Sequence, residues 1–215
     1  MSTRLVIASV VLAGGTLGLL AAAAPWQDAQ AKAKPAGAQA KPFTDQELAA
    51  WKKASTPGPQ HGEMEKMVGT WDVKATSWMK PGAPPEEWSG TSDARLILDG
   101  RYLVEDFSGT MSMGPYHGHG MLGFNNSTNQ WEHVWLDDMS TGMMVSQGET
   151  RGNATELEST VTCPLNGERV KVRTVLTPRG DDERTVEMWS TFPGEAEFQP
   201  MILTYQRAGA SKPTR

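Results

Sequence analysis

Between Tyr116 and Gly148 the chain reads Tyr-His-Gly-His-Gly-Met-Leu-Gly-Phe, a polar turn, Trp-Glu-His-Val-Trp-Leu-Asp-Asp, then Met-Ser-Thr-Gly-Met-Met-Val-Ser-Gln-Gly. Three of the four histidines fall in this stretch, beside two tryptophans and a pair of aspartates. Residues of these types could do three kinds of chemistry. His117, His119 and Met121, with Met111, Met113, Met139, Met143 and Met144 nearby, offer the imidazole and thioether ligands that suit Cu(I). His133 with Asp137, or Glu105 with Arg101, offers acid–base chemistry. Mixed aromatic, imidazole and thioether groups on a concave wall would instead hold a small molecule.

Spacing weighs against the first two. His117, His119 and Met121 alternate along one strand face at about 7 Å, too far for neighbours to share an ion unless their side chains bend inward. Methionine is also a common filler of irregular cores. No nucleophile elbow, His-Glu-x-x-His pair or phosphate-cradling glycine loop is present. Hairpin parity decides which histidines share a face. If Asn126 pairs with Asn129, Leu122 faces His133, and Phe124, Leu122, Trp131, His133 and Trp135 gather on one side. That side carries more apolar area than the Glu132, Val134, Leu136 and Asp138 side, so it is expected to face inward. Asp137 follows by alternation, near the mouth. His117 and His119 then face solvent, although a one-residue bulge would reverse this.

The elements that must position these residues are strands. Alternating segments occur at about 70–79, 87–98, 101–111, 116–125, 130–138, 142–150, 155–162, 168–177, 183–192 and 198–207. They are separated by turn sequences such as Asp99-Gly100, Asn125-Asn126-Ser127-Thr128-Asn129, Asn166-Gly167 and Pro193-Gly194. Ten hairpin-linked strands with no intervening helix predict an all-β, antiparallel up-and-down barrel, which removes open edges by closing on itself. A two-sheet sandwich is the alternative. Ahead of the strands, Thr44-Asp45-Gln46-Glu47 predicts a capped helix through Trp51, ended by Pro57-Gly58-Pro59. His61 to Val68 adds a second helical turn. Both are too short to stand alone and should dock on the barrel.

The N-terminus has the layout of a secretory signal over residues 1–24: Arg4, an apolar run Leu5–Leu20, then alanines. The run is shorter than a membrane span, so a cleaved signal is expected, cut after Ala23 or Ala31, with no stable membrane insertion afterwards. Residues 25–43 read as a disordered linker, 44–68 as the docking helices, 69–207 as the barrel domain and 208–215 as a tail. The expected location is periplasmic or extracellular. Cys163, the one cysteine, excludes an intrachain disulfide and multi-cysteine metal sites. Although the whole chain carries −5, residues 69–207 hold 20 acidic against 11 basic side chains, net −9. Such a domain has no means of gathering phosphates, which argues against nucleic-acid partners.

Two family resemblances rest on quoted motifs. Gly69-Thr70-Trp71 opening the first strand, with Arg207 closing the last, resembles the Gly-x-Trp and terminal arginine of the calycins. That resemblance implies the guanidinium lying across the indole at the closed end. Pro57-Gly-Pro-Gln-His61, Met67-Val-Gly-Thr-Trp71, Leu98-Asp-Gly-Arg101-Tyr-Leu, Gly118-His-Gly-Met-Leu-Gly-Phe124, Trp135-Leu-Asp137 and Ser140-Thr-Gly-Met-Met144 resemble a bacterial family of unknown function (fifteen-seventy-nine), itself calycin-like. This sequence has Phe124-Asn125 where that family commonly shows Tyr-Asp. The resemblance implies fold and assigns no activity. Nitrobindin-like calycins hold haem by one barrel histidine, which would place His133 or His119 as ligand.

Together these observations point to an exported barrel binding a small, largely apolar molecule. Trp71, Trp88, Leu103, Trp131, Trp135, Met143 and Met188 are the expected lining, with His133, Asp137 and Arg101 as polar groups. No cofactor is implied, and oligomeric state is not indicated. A barrel-based hydrolase or isomerase, a haem or copper protein, and a protein-interaction module are the alternatives.

Overall fold

The structure, a computed structural model, describes residues 42–210. The signal reading, nearly all of the linker and the end of the tail lie outside these residues. Ten strands form one closed antiparallel barrel: β1 (Gly69–Ser77), β2 (Glu86–Ile97), β3 (Tyr102–Met111), β4 (Gly114–Asn125), β5 (Gln130–Asp137), β6 (Met144–Arg151), β7 (Ala154–Thr162), β8 (Arg169–Pro178), β9 (Glu183–Thr191) and β10 (Phe198–Arg207). Each strand pairs with its sequence neighbours, and β1 pairs with β10 from Trp71↔Arg207 to Ser77↔Met201. That last ladder closes the wall and excludes the sandwich. Every strand end lies within two residues of its expected position.

Turn chemistry sets the registers. Leu98, Asp99 and Gly100 all have positive φ between β2 and β3, a conformation that Asp and Gly adopt at low cost. Between β4 and β5, Asn125 Oδ1 accepts from the amides of Ser127 and Thr128, and Asn129 sits at φ 58°. This four-residue turn pairs Asn125 with Gln130 and Leu122 with His133, the register expected from parity. One irregularity, a register shift between Phe198 and Met201 against β9, brackets Pro200, whose missing amide cannot join a regular ladder.

Two helices precede the barrel. α1 (Asp45–Ser55) begins with the expected capping box between Thr44 and Glu47. It buries no residue, however, and Leu48 and Trp51 are exposed. α1 is held by its C-terminal carbonyls instead: Asn126 Nδ2 donates to Ala54 and Thr56, and Arg101 to Ser55. α2 (Pro59–Glu65) does pack, burying His61 and Met64. Met64 joins Leu103, Leu122, Trp131 and Leu157 in a solid apolar layer at this end of the barrel.

Beside that layer lies a cationic stack. Arg207 and Arg184 each place the guanidinium carbon 4.3 Å from the Trp71 ring centroid, and Arg184 lies equally close to Tyr205. Arg207 also donates to the carbonyls of Val68, Lys66 and Asp181, and to the Asp182 carboxylate. Gly69 has φ 122°, and a Cβ there would come within 2.9 Å of Arg207 Nη1. The glycine of Gly-x-Trp is thus required twice, by backbone conformation and by the approach of the arginine.

Candidate functional site

At the other end the interior is hollow. A cavity of about 920 Å³ runs from this mouth, framed by the β5–β6 loop (138–143) and by Pro164 of the β7–β8 turn, into the barrel. Its wall is largely apolar, with Trp88, Phe107, Trp135, Val186, Met188 and Leu203. Volume and lining are those of a site for a drug-sized molecule.

The aromatic wall is built by β3, β4 and β5 together. Trp135 crosses the strand gap and lies over β4, where Gly118 and Gly120 point inward. A Cβ on Gly118 would overlap the Trp135 ring, and one on Gly120 would come within 3.0 Å of it. The His-Gly-His-Gly motif is therefore a seat for an indole: glycines in, histidines out. Trp135 Nε1 donates to the Tyr116 hydroxyl (3.1 Å), which in turn lies 3.5 Å from Asp137 Oδ2. Burial pushes the Tyr116 phenol well above its ordinary pKa, with Asp137 adding to the rise. Phe107 meets Trp88, Tyr116 and Trp135 edge-on at 5.8–6.4 Å.

His133 lies deeper, its ring nearly parallel to Trp135 at 6.3 Å. Burial holds its pKa below the ordinary value, while the negative charge of Glu105 pulls the other way. The imidazole is thus neutral near pH 7, and its nitrogens have no hydrogen-bond partner among the described residues. Opposite it on β6, the Ser146 hydroxyl is buried and also unpaired. Glu105 completes the polar set. Its Oε1 accepts from Ser92 at 2.6 Å and lies 3.8 Å from Arg184, while its side chain also borders the cavity.

Of the residues expected to bind a ligand, the structure places His133, Trp135, Asp137 and Met143 on the cavity wall, with Trp88 and Met188. Four others lie elsewhere. Trp131 is sunk in the apolar layer with Leu122 and Leu157, its Nε1 donating to Thr150. Leu103 sits in that same layer, and Trp71 in the cationic stack. Arg101 belongs to the β2–β3 turn at the closed end, where it bonds the Leu98 and Ser55 carbonyls. It cannot serve the cavity as a polar group. The interior arginine is Arg184, which the sequence reading did not single out. Its parity with Val186 and Met188 on β9 was the available signal.

The copper set stands on the outer wall. His117 Nδ1 is 2.9 Å from Asp138, His119 Nδ1 is 2.6 Å from Asp106, and Met121 is exposed. Each imidazole is thus tied to its own carboxylate. Asp106 is held below its ordinary pKa by Arg95 and His119, and Asp138 likewise by His117. Among the described residues no group of three or more His, Cys, Asp or Glu side chains could hold a metal ion.

A family model described as a protein of unknown function (DUF1579) matches residues 56–207. The chain belongs to this family. The match begins just before α2 and ends at Arg207, so the family's span includes the helix that packs on the barrel and the arginine beside Trp71. No curated protein matches the chain. Among solved structures, the S-type phycobiliprotein lyase CPES from Guillardia theta is 12% identical, with a TM-score of 0.50, over 71% of this chain and 94% of that one. Rv2717c from M. tuberculosis is 14% identical, with a TM-score of 0.49, over 71% and 99%. At such identity the likeness to the lyase is one of fold, the calycin-like barrel expected of the family.

Proposed function

We propose that this barrel is an exported binding protein that holds a small, largely apolar molecule in its interior. The observation that carries the reading is His133: a half-buried, neutral imidazole on the cavity wall with no hydrogen-bond partner among the described residues. Ligand pockets are mostly apolar walls carrying a few polar groups that fix orientation, and an imidazole left free by the protein on such a wall is suited to that role.

The test is a titration of octanol followed by tryptophan fluorescence. Octanol in the cavity lies against Trp88 and Trp135 and changes their emission. His133→Ala is expected to weaken binding by about 1–3 kcal/mol, the cost of one lost hydrogen bond in a desolvated site. An unchanged affinity would remove His133 from the site. Export rests on Arg4, the Leu5–Leu20 run and the alanines that follow. N-terminal sequencing of the exported protein should start near Ala24 or Lys32, and an intact Met1 on cytosolic protein would refute export.

The residues present do not suit haem. His119 faces outward against Asp106, leaving His133 as the only imidazole on the cavity wall among the described residues. The cavity wall holds no lysine or arginine to meet haem's two carboxylates, and Asp137 and Asp138 stand at the mouth where those groups would emerge. A His133–Asp137 acid–base pair fares no better. Four strand positions separate the two by about 13 Å, too far to share one proton transfer.

A further inference from the structure

Resting on the cavity reading above, we infer that the molecule held there is a cation: an amphiphile whose ammonium-type head sits at Asp137 beside the Tyr116 hydroxyl. Its apolar body would extend inward along Leu157, Val186 and Leu203.

Charge is distributed unevenly over the cavity wall. Three carboxylates border it, Glu105, Asp137 and Asp138, and no lysine or arginine does. Two of the three are already matched. Glu105 accepts from Ser92 and has Arg184 behind it, on the side away from the cavity wall, while Asp138 is bonded to His117. Asp137 differs. Its Oδ1 accepts from the Met139 amide at 3.1 Å and its Oδ2 lies 3.5 Å from the Tyr116 hydroxyl, yet it has no cationic partner among the described residues. A carboxylate without a counter-charge at the rim of an apolar cavity favours a cation and opposes an anion.

The surroundings agree with this. Tyr116 and Trp135 are fixed by the hydrogen bond between them, and Trp88 meets Tyr116 at 5.9 Å. Together they hold the Tyr116 hydroxyl, a polar edge, beside the Asp137 carboxylate. The net charge of −9 over residues 69–207 would draw cations toward the mouth and repel anions. His133, deeper on the same strand, has no partner and is free to bond a second polar group of the ligand.

Octylammonium, octanol and octanoate share one chain length and differ in charge at pH 7, so calorimetric titration of the three at low salt separates the contributions. Octylammonium should bind at least about ten-fold tighter than octanol, with octanoate the weakest. Asp137→Asn should bring octylammonium close to octanol. Asp106→Asn, on the outer wall, should leave the order of the three as in the parent. Octanoate binding as tightly as octylammonium, or a cation preference that survives Asp137→Asn, would overturn the inference while octanol binding leaves the cavity reading intact. If none of the three binds, the cavity reading falls and the charge preference falls with it.

Discussion

Adding a single methyl group at Gly118 tests how the aromatic wall is built. A Cβ there overlaps the Trp135 ring and lies 2.9 Å from two further ring carbons, where carbons normally settle at about 3.5–4.0 Å. The indole must therefore shift by more than half an ångström. It would strain its 3.1 Å bond to Tyr116, its stack on His133 and its edge contact with Phe107. Overpacking of this kind costs about 1–3 kcal/mol, so Gly118→Ala should lower the urea midpoint with little change in m. Gly120→Ala, with its nearest ring carbon at 3.0 Å, should cost less. The decisive comparison uses Trp135→Val, whose side chain does not reach β4. In that background Gly118→Ala should stabilise by about 0.5–1 kcal/mol, because alanine loses less backbone entropy than glycine in a strand. A change of sign between backgrounds is the signature of the seat. If Gly118→Ala costs the same in both, Trp135 does not lie over β4 and the cavity wall is drawn wrongly.

Three further outcomes can be checked on the same protein. Trp71→Ala should cost about 3–5 kcal/mol or unfold the domain, since it removes the ring between buried Arg184 and Arg207; Trp51→Ala on exposed α1 should cost almost nothing. Burial lowers the folded pKa of His133 and of His61, so the unfolded chain takes up protons first as pH drops below about 6.5. Stability should then hold above that pH and decline as pH falls toward the folded values, and His133→Phe should flatten part of the decline in urea midpoints between pH 7.5 and 5. His117→Ala and His119→Ala remove exposed pairs, so each should change stability by under about 1 kcal/mol and leave octanol binding unaltered.

Face and register were legible in the chain because both follow from local rules. Alternation put His133, Trp135 and Asp137 on one side, and the Asn125–Asn129 turn set the register that turned His117 and His119 outward. Depth along the barrel axis was not legible from alternation alone. β5 runs from the closed end to the mouth, so Trp131 belongs to the floor while Asp137, some six positions on, reaches the rim. Alternation assigns both to the same face and distinguishes neither. Arg101 was misplaced for a different reason. Leu98, Asp99 and Gly100 take positive φ, so strand β3 starts only at Tyr102 and the arginine is aimed back at α1. The amphipathic look of α1 likewise did not translate into packing, because its carbonyl end, rather than Leu48 or Trp51, makes the attachment. Arg184 carried a readable signal, an arginine in phase with Val186 and Met188, but a buried guanidinium is credible only once Trp71, Tyr205 and Glu105 are known to surround it.

The central claim is that the hollow end of the barrel takes a small molecule at His133. Its most direct measurement is a heteronuclear NMR titration of the folded protein with octanol. Saturable shifts should appear at His133, Trp135, Met144 and Leu203, with Trp131 and the outer histidines His117 and His119 nearly still. Shifts confined to the outer wall, or none that saturate, would contradict the claim.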